Sequence, residues 1–217
     1  MRAIRIDIWS DFVCPFCYMG EALLAQALES FEGADQVSVR YHSYQLMPEL
    51  PTDAAMNSTE LLVQEKGMAR EQAQAANAQV TQRAATLGLD YRLDQSIATN
   101  TRTAHRLTHY AAEHGKQHQL VRRLFAAHFT EGLHIGDPET LADLAAAVGL
   151  DRSGAHAVAV GEEYTSEVDA DIAQAGQLGV SGVPFFVFNQ RLALSGAQPV
   201  EAFQQALQRA AEETADR

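Results

Sequence analysis

A chain of 217 residues, 47% hydrophobic and 20% charged, has the composition of a folded globular protein able to bury a full core, not that of a disordered or fibrous one. Its 28 acidic and 16 basic residues leave a formal charge of -12, which lacks the basic footprint of nucleic-acid-binding domains and is repelled by anionic lipid. No apolar run approaches the ~20 residues that span a bilayer, so neither nucleic acid nor membrane is an expected partner.

The first predicted element is a strand over residues 2–9, in which Ile4, Ile6 and Ile8 alternate onto one face. Asp7 interrupts the unbroken apolar stretch of about 7 to 15 residues that a secretory leader needs. The expectation is therefore a cytoplasmic, reducing setting, where two cysteines are seldom kept as a structural staple. A helix follows, with Phe16, Gly20, Leu23, Leu24, Ala27 and Phe31 at helical spacing and Gly33 placed to close it in a left-handed conformation. Residues 37–44 return to strand spacing through Val37, Val39 and Tyr41, completing a β-α-β unit, and Pro48 and Pro51 then stop the strand.

From 52 to 160 the chain is rich in Ala and Gln, punctuated by glycines and poor in β-branched runs, which predicts helices throughout. Within it Asp137-Pro138 starts a helix that aligns Leu141, Leu144, Ala145 and Val148. A further helix over 162–177 precedes an apolar strand at 183–188, a turn at Asn189-Gln190 and a strand at 191–194, the pattern of a hairpin. Pro199 opens a last helix with Val200, Phe203, Ala206 and Leu207 on its buried stripe, and the terminal residues 212–217 are expected to fray. Strands thus occupy both ends of the chain. The expected organisation is an α/β domain from residues 1–50 plus 161–217, with an all-helical insertion over 51–160.

Cys14-Pro15-Phe16-Cys17 lies where the first strand ends and the first helix begins. Pro15 suits the first helical position, which leaves Cys14 at the cap with its sulfur facing the free N–H groups and the positive end of the helix dipole. A free thiol has a pKa of about 8.5, and a helix N-terminus can bring it down to roughly 3.5 to 7.5, so a thiolate is favoured at Cys14. Cys17 sits one helical turn on, within reach of a mixed disulfide at Cys14. Two structural readings compete. A CxxC can supply half of a zinc site, with the remaining ligands drawn from distant histidines, and two buried thiols can also be unconnected. The pairs His105/His109 and His114/His118 are spaced to share helix faces, but no acid completes a metalloprotease pattern and no metal site is expected.

Trp9-Ser10-Asp11-Phe12-Val13-Cys14-Pro15-Phe16-Cys17-Tyr18-Met19-Gly20, together with Gly182-Val183-Pro184-Phe185-Phe186, resembles the DsbA-like thioredoxin family, and within it the FrnE-like branch. The resemblance covers nearly the whole chain and implies a thioredoxin-like fold split by a large inserted helical subdomain. It implies thiol-disulfide exchange with Cys14 attacking and Cys17 resolving. It also implies a cis Pro184 facing the cysteines and a Val183 that helps to hold an extended substrate by strand addition. The segment Asn100 to Leu107 resembles a helix start that lies over the active-site cleft in FrnE-like proteins, which implies a substrate contact at Asn100; a helix cap is the alternative. Two departures stand out. Thioredoxins carry a buried acid six residues before the first cysteine, where this chain has Ile8, and Asp11 is expected in a solvated loop. Where DsbA has a histidine between the cysteines this chain has Phe16, which cannot donate to a thiolate, so Cys14 is expected to be less acidic than in His-bearing relatives. Trp9 is expected in the core.

Three classes of function remain. The first is dithiol-disulfide exchange on protein or small thiols, with no tightly bound cofactor. The second is a glutathione-dependent transferase or isomerase of the kappa-class or 2-hydroxychromene-2-carboxylate isomerase type, similar proteins that typically have serine at the position of Cys14 and that make glutathione a co-substrate. The third is a helical binding or holdase protein with incidental thiols. Cysteine at position 14 favours the first.

Overall fold

In the computed structural model, which describes residues 3–54 and 56–215, the alternating isoleucines form β1 (Ile4–Ser10). The expected strand start at residue 2 and residues 216 and 217 of the expected frayed end lie outside the described residues, whereas residues 212–215, also expected to fray, continue the last helix. The chain makes two compact units, one drawn from both of its ends, up to Tyr44 and from Val168 on, and the other formed by Gln45–Glu167. The change comes at Tyr44/Gln45, ahead of the prolines, because β2 (Val37–Ser43) has already ended. The return comes inside α8 (Thr165–Gln177), whose Val168 and Ala175 are fully buried.

In the first unit β1 is central. It pairs in parallel with β2 and antiparallel with β3 (Phe185–Phe188), and β4 (Leu192–Ser195) completes a sheet in the order β2-β1-β3-β4. Asn189 and Gln190, both at positive φ (50° and 59°), make the tight turn between β3 and β4 whose twist suits a hairpin. The register sets Ile6 opposite Phe188 and Ile8 opposite Phe186, a continuous apolar face. Buried residues of α1 (Pro15–Glu29) and α9 (Val200–Ala215) cover it, with the Phe186 and Phe203 rings edge to face at 4.8 Å. On the opposite face Trp9 packs with Ala175 and Val180. This arrangement is the thioredoxin-like α/β fold.

Three local expectations need correction. The helix α1 closes at Ser30, whose N–H bonds to Leu28 O, and Gly33 takes its positive φ (107°) only afterwards, ahead of a short 3-10 turn. Phe16 is 37% exposed, because the buried line of α1 runs through Cys17, Gly20, Leu24 and Ala27 and Phe16 lies one residue, about 100°, away from it. Residues 86–101 are not helical; backbone bonds from Ser58 N–H to Leu93 O, Ala98 N–H to Met56 O and Arg92 N–H to Phe129 O satisfy this stretch from outside itself.

The second unit comprises α2 (Ser58–Lys66), α3 (Arg70–Ala85), α4 (Arg102–Glu113), α5 (Gln117–Phe129), α6 (Pro138–Ala147) and α7 (Arg152–Val160). Asp137 caps α6 by accepting the Thr140 N–H at 2.8 Å, as the Asp-Pro pair leads one to expect. Arg106, buried on α4, donates to the carbonyls of Val158, Ala159 and Gly161 and so satisfies the open end of α7. Among the described residues no helix is long and apolar enough to cross a membrane.

Candidate active site

Cys14 ends the extended approach from β1 (φ -90°, ψ 111°) and is the N-cap of α1, with Pro15 at the first helical position. Both cysteines are free and buried, Cys14 at 6% exposure and Cys17 at 2%. The Cys17 thiol donates a hydrogen bond to the Cys14 sulfur, and this bond is the main influence that holds Cys14 below the ordinary thiol range. Burial opposes the shift, the N–H groups of Cys17 and Phe16 in the first turn of α1 add to it, and the Asp11 carboxylate works against it. Cys17 is pushed well above the ordinary range, chiefly by burial and then by the bond it donates and by its neighbour's charge. Two thiols a turn apart thus differ sharply: one is prepared to ionise, the other to keep its proton.

Val183 enters from the far end of the chain and sets its carbonyl oxygen 3.5 Å from Cys14 Sγ, in position to accept from the thiol. The Val183–Pro184 peptide bond is cis. Gly20, one turn beyond Cys17 on α1, is what allows this approach: a Cβ there would stand 2.9 Å from Pro184 Cγ and 3.0 Å from Phe186 Cζ. Glycine at position 20 therefore sets the spacing between the cysteine helix and the proline loop.

The family model described as the DSBA-like thioredoxin domain matches residues 5–208. This chain belongs to the DsbA-like thioredoxin family. A probable DsbA oxidoreductase from Streptomyces coelicolor is 39% identical, with a TM-score of 0.91 over 97% of this chain and 91% of that one. The fold alone is shared with a 2-hydroxychromene-2-carboxylate isomerase, 18% identical with a TM-score of 0.75 over 98% of both chains. It is also shared with the cytosolic disulfide reductase DsbM of Pseudomonas aeruginosa, solved with glutathione, at 19% identity and a TM-score of 0.66 over 96% of this chain and 99% of that one.

Several residues around this DsbA-like pair escape a linear reading. Asp11 is not solvated; it is 1% exposed, and its backbone N–H points at Cys17 Sγ from 3.5 Å. Ser10, also buried, lies beside Cys17 and weakly counters the rise of its pKa. The alternation of Ile4, Ile6 and Ile8, extended by one step, is the signal that could have turned Ser10 inward. No such signal marks the other face of β1. There His42 bridges two carboxylates, with Nε2 2.8 Å from Asp7 Oδ1 and Nδ1 2.6 Å from Asp171 Oδ1, while Trp9 stacks on its ring at 4.5 Å. Arg5 also binds Asp7, at 2.6 Å, and Asp171 accepts the Ser43 N–H and, through its carbonyl, the Trp9 indole N–H. A buried acid is present after all, at Asp7 and not at Ile8, on the sheet face away from the isoleucines.

Asn100 belongs to the second unit. Its amide donates to Pro48 O at 2.8 Å and Leu50 O at 3.0 Å, and its oxygen accepts from Gln45 Nε2 and the Arg102 N–H, both at 2.9 Å. Those four bonds use the full capacity of the amide and tie residues 45–50 to the start of α4.

Proposed function

We propose that this DsbA-like protein is a thiol-disulfide oxidoreductase in which Cys14 attacks and Cys17 resolves. The carrying observation is the unequal pair: Cys14 held below the ordinary thiol range at a helix N-terminus, Cys17 buried beside it with its proton retained. The Cys14 thiolate attacks a substrate disulfide, one substrate sulfur leaves as thiolate, and a mixed disulfide remains on Cys14. Cys17 then attacks Cys14 Sγ, the bond to substrate breaks, and the pair is oxidised while the substrate gains two electrons. Run backwards, the same steps oxidise a substrate dithiol.

Val183 and Pro184 contact substrate in this reading, with the Val183 backbone offered to an extended chain beside Cys14, and Pro15 and Phe16 shape the motif itself. Asn100 is assigned a substrate contact that exchanges one of its four present bonds. Substrates are protein or small-molecule thiols and disulfides, and no tightly bound cofactor is required. Glutathione is the proposed co-substrate that returns the pair to the dithiol, by analogy with the glutathione-bound DsbM neighbour, and the proposed setting is the cytoplasm.

Equilibration in glutathione buffers tests the reading, with the fluorescence of Trp9, the sole tryptophan, as reporter and mass spectrometry to locate adducts. A single two-electron transition is expected, and in Cys17→Ser a glutathione adduct should accumulate on Cys14. An adduct that forms on Cys17 in Cys14→Ser but not on Cys14 in Cys17→Ser, or no reaction at either thiol, overturns the proposal. Cys17→Ser should abolish turnover; retention of a glutathione-dependent activity in that variant would instead indicate isomerase-type chemistry, and activity surviving loss of both thiols a binding protein.

A further inference from the structure

Ser10 is the last residue of β1 and continues the face of Ile4, Ile6 and Ile8, which turns its side chain inward. It is 4% exposed, and its hydroxyl makes no hydrogen bond of ordinary geometry among the described residues, its one neighbour of that kind being the weakly accepting Cys17 sulfur. A buried donor left unpaired is uncommon, because the water it gave up is not replaced. The group beside it is the Cys17 sulfur, which already faces the Asp11 N–H at 3.5 Å. As a thiol, Cys17 directs its one proton at Cys14 and offers Ser10 only a weak sulfur acceptor. As a thiolate it would carry a full charge and accept from both donors.

We infer that the Ser10 hydroxyl is held in reserve for the Cys17 thiolate that forms when a mixed disulfide on Cys14 is resolved. The inference rests on the disulfide-exchange reading and deepens it by adding a catalytic residue that touches the resolving sulfur. The Cys17 proton passes to the first substrate thiolate to leave where that thiolate is an alkyl one, and to solvent where it is a weakly basic aryl thiolate. The Cys17 sulfur then attacks Cys14 Sγ, the bond from Cys14 to the second substrate sulfur breaks, and the electron pair departs on that sulfur, which is protonated by solvent. Two electrons pass from the cysteine pair to substrate with no further reagent. Once Cys14 is disulfide-bonded its sulfur is no longer an anionic partner for Cys17, and Ser10 Oγ and the Asp11 N–H are the donors already aimed where the new charge appears.

The test uses dithiobis(nitrobenzoate), whose two coloured thiolates report the two steps separately: the first is released by attack of Cys14 and the second by resolution through Cys17. In Ser10→Ala the first release should stay within about twofold of the unaltered protein, while the second slows about tenfold and its rate profile, followed from about pH 6 to about pH 9, moves to higher pH. Ser10→Thr, which restores the hydroxyl, should recover the second step. The reduced Ser10→Ala protein should melt within about a degree of the unaltered one, because in the dithiol the group removed meets only a weak sulfur acceptor. An unchanged second step and pH profile, or equal slowing of both steps with a lowered melting temperature, overturns the inference and leaves disulfide exchange standing. Absence of the first release in the unaltered protein defeats the exchange reading itself.

Discussion

Cys17 donates its thiol proton into the sulfur of Cys14 while lying nearly inaccessible itself, at 2% exposure. Removing that donor should make Cys14 a poorer anion. In Cys17→Ala the Cys14 pKa is expected to rise and alkylation at neutral pH to slow by about tenfold, whereas Cys17→Ser, which keeps an O–H donor, should show a smaller change. Thiolate absorbance near 240 nm followed against pH measures this directly, and equal titrations for all three proteins would count against the hydrogen bond.

Asp11 acts in the opposite sense. Its buried carboxylate raises the Cys14 pKa, so Asp11→Asn should lower it. Iodoacetamide should then label Cys14 about two- to fivefold faster on the acid side of the transition, where the thiolate fraction limits the rate. Slower labelling in Asp11→Asn would show that the carboxylate assists the thiolate.

Gly20→Ala would ordinarily gain helix propensity worth about 1 kcal/mol. Here the added methyl meets the Pro184 ring at 2.9 Å and Phe186 at 3.0 Å, both fixed by packing. The net expectation is a loss of about 1 to 3 kcal/mol, read as a drop of a few degrees in melting temperature, with altered Cys14 reactivity as Pro184 is displaced. A stability gain would mean that the proline loop moves freely.

The His42 cluster predicts how stability depends on pH. Burial alone would raise Asp7, but its bonds to His42 and Arg5 win and hold it low, so its contribution is complete above the unfolded carboxyl value of about 3.9 and is lost as pH falls through the lower folded value. Burial alone would lower His42, but Asp171 and Asp7 win and hold it high, so its contribution is complete below the unfolded imidazole value of about 6.5 and is lost as pH rises through the higher folded value. The cluster therefore stabilises most between about pH 4 and pH 6.5. His42→Leu should remove the alkaline limb of the melting profile and cost about 3 to 5 kcal/mol, because Asp171 is left buried without its cation. A profile that keeps its shape in that variant would place the titration elsewhere.

What the sequence determined by itself was local. The cap at Cys14 with Pro15 behind it, the Asp137 cap of α6 and the alternating isoleucines of β1 each depend on neighbours within a turn or two, so spacing alone reveals them. Tertiary structure decided the rest. Asp7 is buried because α8, more than a hundred residues away, covers the second face of β1 and brings Asp171 to His42; Val183 O reaches Cys14 across 169 residues of chain; and Asp11 and Ser10 are enclosed beside Cys17, not solvated. Charge pairing and the burial of a second sheet face are set by segments that meet only on folding, and no local period records their approach.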